Sequence, residues 1–414
     1  MKKIFLLAVP ALALIASCSK NEITPVQSDP LAIGFTPLNG KLSTKAMIDG
    51  TTYATDAPSF GSLAYYLEAG KDWNTNMADA SLYIPISEVK YNATASTWTT
   101  DTPYYWPKTG GVTFFAWSPY SYAEGGDITV KRPVDANKKE TNDGIVIANY
   151  DVDAHQLTDL MVADATKSKN QVKNIDANTG DNTSNYKGVP TIFHHKLSQI
   201  VGINLKTVKT ENGSIVEHDY ANKHTTYEAG DVVFKLKNVS INLLNTVGTF
   251  TYAATNTDAP TSVWSSQPTP KDAYVWYDYT DDNAGAEEAF TNNTKFELTF
   301  NNNHTANANA YLLVLPQPLT ERSAAATLDK PYLHLEYQVL TYTDADHYAT
   351  ENVTEDVDLY IIHGGQAGKA TTGIEIAQNK KITYNIQINL ENRQIYWAPS
   401  VVDWEGQEFT YTIE

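Results

Sequence analysis

Apolar residues alternate with polar ones at a period of two through much of the chain, and this restricts the fold to β-sheet. Ile382, Tyr384, Ile386, Ile388 and Leu390 are separated by Thr383, Asn385, Gln387 and Asn389. Successive side chains of a strand point to opposite faces, so the pattern predicts one buried and one wet face. Leu197, Val201, Ile203 and Leu205 follow the same rule, as do Leu333, Leu335, Tyr337 and Val339, and Phe296, Leu298 and Phe300. Tyr311 to Leu315 is apolar without a break and ends at Pro316, which predicts a strand buried on both faces. Between Phe234 and Leu243 the apolar parity slips by one near Lys237-Asn238, which predicts a bulge. No long stretch carries the 3.6-residue period of an amphipathic helix. Segments 136–144, 166–188, 208–230, 279–294 and 301–309 are rich in Ala, Asn, Thr and Gly and are expected to be loops. No short repeat of the solenoid or propeller kind is present.

The first residues carry a separate signal. Met1-Lys2-Lys3 precedes an apolar run from Ile4 to Ala16, which is shorter than the roughly 20 residues of a membrane-spanning helix. A basic start, a short apolar run and a small-residue end read as a secretory signal. Ile15-Ala16-Ser17-Cys18 matches the lipobox of bacterial lipoproteins, in which the cysteine becomes the first mature residue and carries the lipid. Cys18 is the only cysteine, so its acylation leaves no thiol for disulfides, thiol catalysis or cysteine metal sites. More than one acyl chain holds a protein stably on a bilayer. Residues 1–17 are therefore expected to be a lipoprotein signal peptide. Residues 18–30, polar and with two prolines, are expected to be a tether.

For the remainder of the 414 residues, about 150 per domain suggests two domains. The polar stretch 166–188 is the best join, giving an N-terminal domain at 31–185 and a C-terminal domain at 186–414. Two antiparallel sandwiches in series is the simplest all-β arrangement. A charged fraction of 19% beside 26 tyrosines permits large cores. The formal net charge of −18 becomes two units more negative once Lys2 and Lys3 leave with the signal. It argues against nucleic acid, because there is no basic stripe to neutralise phosphates.

Catalytic motifs are missing: there is no Gly-x-Ser-x-Gly elbow, no His-Glu-x-x-His and no Gly-rich phosphate loop. His194 and His195 are adjacent, so on a strand they face opposite sides. No partner stands at a ligand spacing, and they read as structural. Asp278, Asp281 and Asp282, and separately Asp344 and Asp346, lack EF-hand spacing and read as solvated acidic loops. No catalytic residue, metal ligand or cofactor is assigned. Trp264, Trp276, Tyr277 and Tyr279 lie in a loop-rich region and are either core residues or a stacking platform for a glycan. Trp106, Phe114, Phe115 and Trp117 read as core anchors.

Several segments together resemble the fimbrillin family, the FimA- and Mfa-like pilins of Bacteroidetes. They are Tyr104-Tyr105-Trp106-Pro107 followed by Val112 to Pro119, then Asp159-Leu160-Met161-Val162-Ala163, then Phe193-His194-His195-Lys196-Leu197-Ser198. Tyr311 to Pro318 and the C-terminal pair Thr383-Tyr384-Asn385-Ile386 and Val401-Val402-Asp403-Trp404 complete the set. The resemblance implies two tandem transthyretin-like β-sandwich domains. It also implies a surface-exposed lipoprotein precursor held in the outer membrane by lipid on Cys18, and a pilus as its destination.

Assembly in that family proceeds by proteolysis after a basic residue, loss of the first strand with its lipid, and filling of the vacated groove by a strand from another pilin subunit. Here Leu31, Ile33 and Phe35 alternate with Ala32, Gly34 and Thr36 and form the expected exchanged strand. Lys45-Ala46 is the expected processing site, with Lys41 as a second. Family members often carry Thr-Arg-Ala there, so Lys45 calls for a trypsin-like protease that accepts lysine. At the other end, Phe409, Tyr411 and Ile413 alternate and either complete their own sheet or reach into a neighbour. An alternative role is a tip or anchor subunit that binds a host glycan or protein receptor.

Overall fold

The computed structural model describes residues 32–39, 59–94, 97–121, 128–142, 144–156, 159–169, 188–220, 226–253, 261–266, 270–278, 294–296, 311–320, 328–359, 362–363, 370–371 and 375–404. Their regular structure is all strand, apart from one helical turn at Trp73–Asn76 and a 3-10 turn at Met77–Asp79. In chain order the first strands are β1 (Phe35–Asn39), β2 (Ser59–Leu67), β3 (Ser81–Asn92), β4 (Thr97–Thr100), β5 (Gly111–Ser118), β6 (Thr129–Lys131), β7 (Gly144–Asp151), β8 (Met161–Ala163), β9 (Thr166–Lys169) and β10 (Val189–His195). There follow β11 (Ser198–Glu211), β12 (Ser214–Glu217), β13 (Val232–Asn242), β14 (Val247–Ala253), β15 (Thr261–Ser266), β16 (Tyr274–Asp278), β17 (Thr294–Phe296) and β18 (Leu312–Val314). The last are β19 (Gln317–Pro318), β20 (Tyr332–Tyr342), β21 (Tyr348–Asp358), β22 (Ile362–His363), β23 (Ala370–Thr371), β24 (Glu375–Ile376), β25 (Lys380–Asn389) and β26 (Gln394–Asp403).

Seven strands pair in a ring. β1 lies parallel to β10; β10 pairs with β8, β8 with β5, β5 with β2, β2 with β3 and β3 with β4. β4 returns to β1 where Trp98 stands opposite Phe35. The ring encloses a core that includes Phe35, Phe60, Trp98, Trp106, Phe114 and Phe193. β5 is buried along its whole length. Phe114 and Ala116 point into the ring, while Phe115 and Trp117 point out of it, towards a four-stranded sheet ordered β15-β14-β7-β6. Ile145, Ile147, Phe250 and Tyr252 of that sheet face them. This two-sided burial explains why Val112 to Trp117 is almost continuously apolar.

A second core lies between the sheet β12-β11-β25-β26, to which β17 and β18 attach through β11, and the sheet β16-β13-β20-β21. Ile382, Tyr384, Ile386 and Ile388 of β25 and Leu333, Leu335, Tyr337 and Val339 of β20 are buried in it, as their alternation predicts. The parity slip in β13 is a bulge: its register against β20 shifts between Leu236 and Asn238. β18 joins the two cores. Leu312 and Val314 enter the second core, and Leu313 and Leu315 enter the core under β5. The unbroken apolar run of Tyr311 to Leu315 is thus a wall shared by both.

Strand pairing crosses the expected 185/186 boundary twice. β10, beyond it, pairs with β1 and β8, and the β14–β15 hairpin pairs with β7. Three local expectations are corrected. Val201 is only half-buried, because β11 carries a bulge between Ile200 and Gly202; Leu197 serves one core, and Ile200, Ile203 and Leu205 serve the other. The expected loop 208–230 begins as strand. β11 runs to Glu211, turns at Asn212-Gly213 with φ of 51° and 77°, and returns as β12. Two positive φ values in a row are the requirement of a tight hairpin turn, and Asn-Gly meets it. In the same way, Thr166–Lys169 of the expected loop 166–188 is strand β9.

Across the edge pair β20–β21, His334 Nδ1 lies 2.7 Å from Asp356 Oδ1 and its Nε2 lies 3.1 Å from Glu336 Oε1. Both ring nitrogens donate only in the imidazolium form. Burial pulls the His334 pKa down, but the hydrogen bonds and charges of Asp356 and Glu336 outweigh it and hold the value above that of an ordinary histidine.

Two outcomes are expected. Leu313→Ala, in the shared wall, should cost about 2–5 kcal/mol, and amide exchange should quicken in both β7 and β25. The His334 contribution is full below about pH 6.5, the unfolded value, and fades as pH rises through the raised folded value. A ring titration by NMR with parallel urea midpoints checks this, and His334→Gln should flatten that part of the profile.

Candidate functional site: the slot that holds the first strand

The strand expected at 31–36 is shifted: β1 begins at Phe35 and Ile33 lies just ahead of it, yet burial alternates between them. Ile33 and Phe35 are each 3% exposed and belong to the ring core, whereas Ala32 is exposed and Thr36 half-buried. Backbone hydrogen bonds hold the segment on both edges. The Ile33 N–H donates to Tyr104 O at 2.7 Å, and the Val189 N–H donates to Gly34 O at 2.7 Å. The ladder with β10 runs from Phe35 opposite Val189 to Asn39 opposite Phe193. On the other edge, among the described residues, only Phe35–Trp98 and Ala32–Tyr105 pair.

Aromatic rings surround Phe35. Its ring meets Phe60 at 5.7 Å and Phe114 at 5.8 Å, both edge to face. Phe60 in turn packs on Trp98 and Phe193, each at 5.4 Å, and Trp106 packs on Phe114 at 5.5 Å. Such pairs add about 0.5–1.5 kcal/mol each beyond the area they bury. Gly188, at φ +120°, lies directly against the strand: a Cβ there would sit 2.6 Å from the Phe35 carbonyl carbon. Only glycine accommodates both the backbone angle and the contact. Sequence reading missed Gly188, which lies at the edge of a polar segment and carries no side-chain signal.

Cys18, Leu31, Lys41, Lys45 and Ala46 lie outside the described residues, as do Phe409, Tyr411 and Ile413. Lys45 falls between Asn39 and Ser59, in the connection from β1 to β2.

The slot wall is tied to the C-terminal strand. His195, at the end of β10, is buried; its Nδ1 bonds to Asp159 Oδ2, and its ring lies flat on Trp404 at 4.3 Å and 7°. Trp404 follows β26, and its N–H donates to Asn379 O at 2.9 Å. His194 faces the other way, its Nε2 3.0 Å from Asp164 Oδ2. Burial pushes the Asp164 carboxyl up, but the hydrogen bond and charge of His194 outweigh it and hold the value below the ordinary one. The two histidines thus serve separate carboxylates. No cluster of three potential metal ligands occurs among the described residues. Asp344 accepts the N–H groups of Asp346 and His347, each at 2.9 Å, and so shapes the β20–β21 turn.

Among the described residues, neither Trp264 nor Trp276 offers an open stacking face. Trp276 is 2% exposed in the second core. Trp264 is half-buried, and its indole N–H donates to Lys196 O at 2.7 Å. The side chains of Tyr277 and Tyr279 lie outside the described residues. Trp106, Phe114, Phe115 and Trp117 are all buried, as expected of core anchors.

A ring of strands completed by β1 describes this part of the fold, and sequence comparison names the class. The family model described as fimbrillin-like matches residues 71–404. The chain belongs to the fimbrillin-like family. Among solved structures, a fimbrial protein from Bacteroides vulgatus is similar at 15% identity and a TM-score of 0.55, covering 90% of this chain and 99% of that one. The tip fimbrial protein Mfa3 from Porphyromonas gingivalis, with a C-terminal truncation, is 10% identical at a TM-score of 0.29, covering 84% of this chain and 94% of that one. The first likeness bears on the fold alone, and the second is too low to argue from. No curated protein matches.

Phe35→Ala is expected to cost about 3–5 kcal/mol. The loss should be concentrated at the slot, so that the Ile33 and Val189 amides exchange much faster while those of β25 change little, measured by hydrogen exchange with NMR detection.

Proposed function

We propose that this chain is a subunit of a cell-surface pilus, delivered as an outer-membrane lipoprotein through Cys18, and that it polymerises by replacing β1 with a strand from another subunit. The role is structural rather than catalytic. One observation carries this reading: β1 fills an aromatic core yet joins the other described strands covalently only through residues 40–58. A cut after Lys45, leaving Ala46 as the new N-terminus, would hold β1 by non-covalent contacts alone. A trypsin-like protease that accepts lysine fits this site.

The energetics favour exchange over simple loss. Burial of Ile33 and Phe35 contributes about 3–6 kcal/mol at about 1.5–3 for each side chain. Each ladder hydrogen bond adds about 0.5–1.5 kcal/mol. A whole domain is stable by only about 5–15 kcal/mol, so an emptied slot leaves little margin. It also leaves the edges of β10 and β4 open, and open edges recruit another strand. The adhesin alternative gains no support from Trp264 and Trp276, which serve the core.

N-terminal sequencing and intact mass of assembled surface material test the reading. The expected result is a chain that begins at Ala46 and lacks lipid, with assembly blocked by Lys45→Ala. Fibres built of chains that still begin at an acylated Cys18 would contradict it.

A further inference from the structure

We propose that the slot accepts a strand in one register only, with an aromatic side chain at the Phe35 position, and that Gly188 lets that strand approach by its backbone. This rests on the strand-replacement reading and adds the chemistry of the occupant. It is an extended segment, parallel to β10, with an aliphatic residue followed two places later by a large aromatic one.

Three independent constraints meet at one point of β1. The first is contact. A Cβ on Gly188 would lie 2.6 Å from the Phe35 carbonyl carbon, 2.7 Å from its nitrogen and 2.8 Å from its Cα. The occupant therefore passes residue 188 by backbone, with no space between them. The second is phase. The bonds from Ile33 N–H to Tyr104 O and from Val189 N–H to Gly34 O, both 2.7 Å, lie on opposite edges of the strand and fix its position to within steps of two residues. The third is shape. Phe60 and Phe114 present the two walls of a pocket that the Phe35 ring enters nearly perpendicular to both, at 83° and 89°.

A slip of one residue turns the aromatic outwards, because the side-chain period of a strand is two. A slip of two brings Ile33 or Pro37 to the pocket. Isoleucine presents no ring edge to Phe60 and Phe114. Pro37, already in the native ladder opposite Thr191, would likewise bring no aromatic edge to the pocket. Position 34 imposes much less: an added Cβ would meet Trp98 O at 3.6 Å, an ordinary contact. The recognition pattern is therefore aliphatic, small or unconstrained, aromatic.

The test uses the full chain with Ile33→Ser and Phe35→Ser, which empties the slot of apolar side chains, and a labelled synthetic peptide of residues 32–39. The native peptide and its Gly34→Ala form are expected to bind alike. The Phe35→Ser peptide should bind at least about tenfold more weakly, and Gly188→Ala in the chain should weaken the native peptide by about the same factor. Equal binding of native and Phe35→Ser peptides overturns the register lock, no effect of Gly188→Ala overturns the close backbone approach, and either leaves strand replacement standing. Failure of every peptide to bind overturns both. Gly188→Ala in the otherwise native chain gives a second measure that does not need the emptied slot. Exchange of the Ile33 and Val189 amides should rise at least about tenfold relative to Ile386, and an unchanged ratio overturns the close backbone approach.

Discussion

The structure depends on one strand that completes a ring. β1 has a full parallel ladder to β10 on one edge, whereas on the other, among the described residues, only Phe35–Trp98 and, just ahead of it, Ala32–Tyr105 pair. The other six strands of the ring all come after residue 59, so β1 is the stave placed between a start and an end that the later chain has brought together. Its contribution is packed into two side chains. Phe35 touches Phe60 and Phe114, and Phe60 relays to Trp98 and Phe193, so one ring connects β2, β4, β5 and β10. Removing β1 exposes this aromatic cluster and two strand edges together. That combination is sticky, whereas either alone would be a milder fault.

The rest of the fold ties the slot to the far end of the chain. β10 leads through His195 and Lys196 directly into β11, and β11 runs parallel to β25 over most of its length. Trp404, just past β26, returns to stack on His195. β18 contributes alternate side chains to both cores, so neither core can shift without the other. In a polymer, pull on the slot wall would pass through β10 and β11 into the β25–β26 hairpin along covalent chain and strand pairing, without relying on a surface contact.

Much of this was legible in the sequence, for identifiable reasons. β25 and β20 each face one core, and their alternation predicts their burial residue by residue. Leu312 to Leu315 faces two cores and shows no alternation. The bulge at Lys237-Asn238 leaves a parity slip because both flanks are long. What was not legible depends on partners distant in sequence. Leu197 and Val201 share a parity, but β11 changes core between them, and the bulge that allows it is marked only by Gly202. The β14–β15 hairpin looks like any other two strands, and nothing local says that it crosses back to β7. The Asn212-Gly213 turn carried a local signal that the surrounding polar composition obscured. Of the expected exchanged strand, Ile33 and Phe35 lie in the ring core, while Leu31 lies outside the described residues. Gly188, which decides how closely β1 can approach, is silent in sequence because its role is an absence of side chain.

The most direct measurement is to cut purified monomer with trypsin in the 40–58 connection and follow it by native mass spectrometry and size exclusion. The account predicts that the N-terminal fragment carrying Ile33 and Phe35 stays bound at first. It then leaves as oligomers form, at matching rates, and excess free fragment should slow both. Release of the fragment with no oligomers, or oligomers that still retain it, would contradict the account.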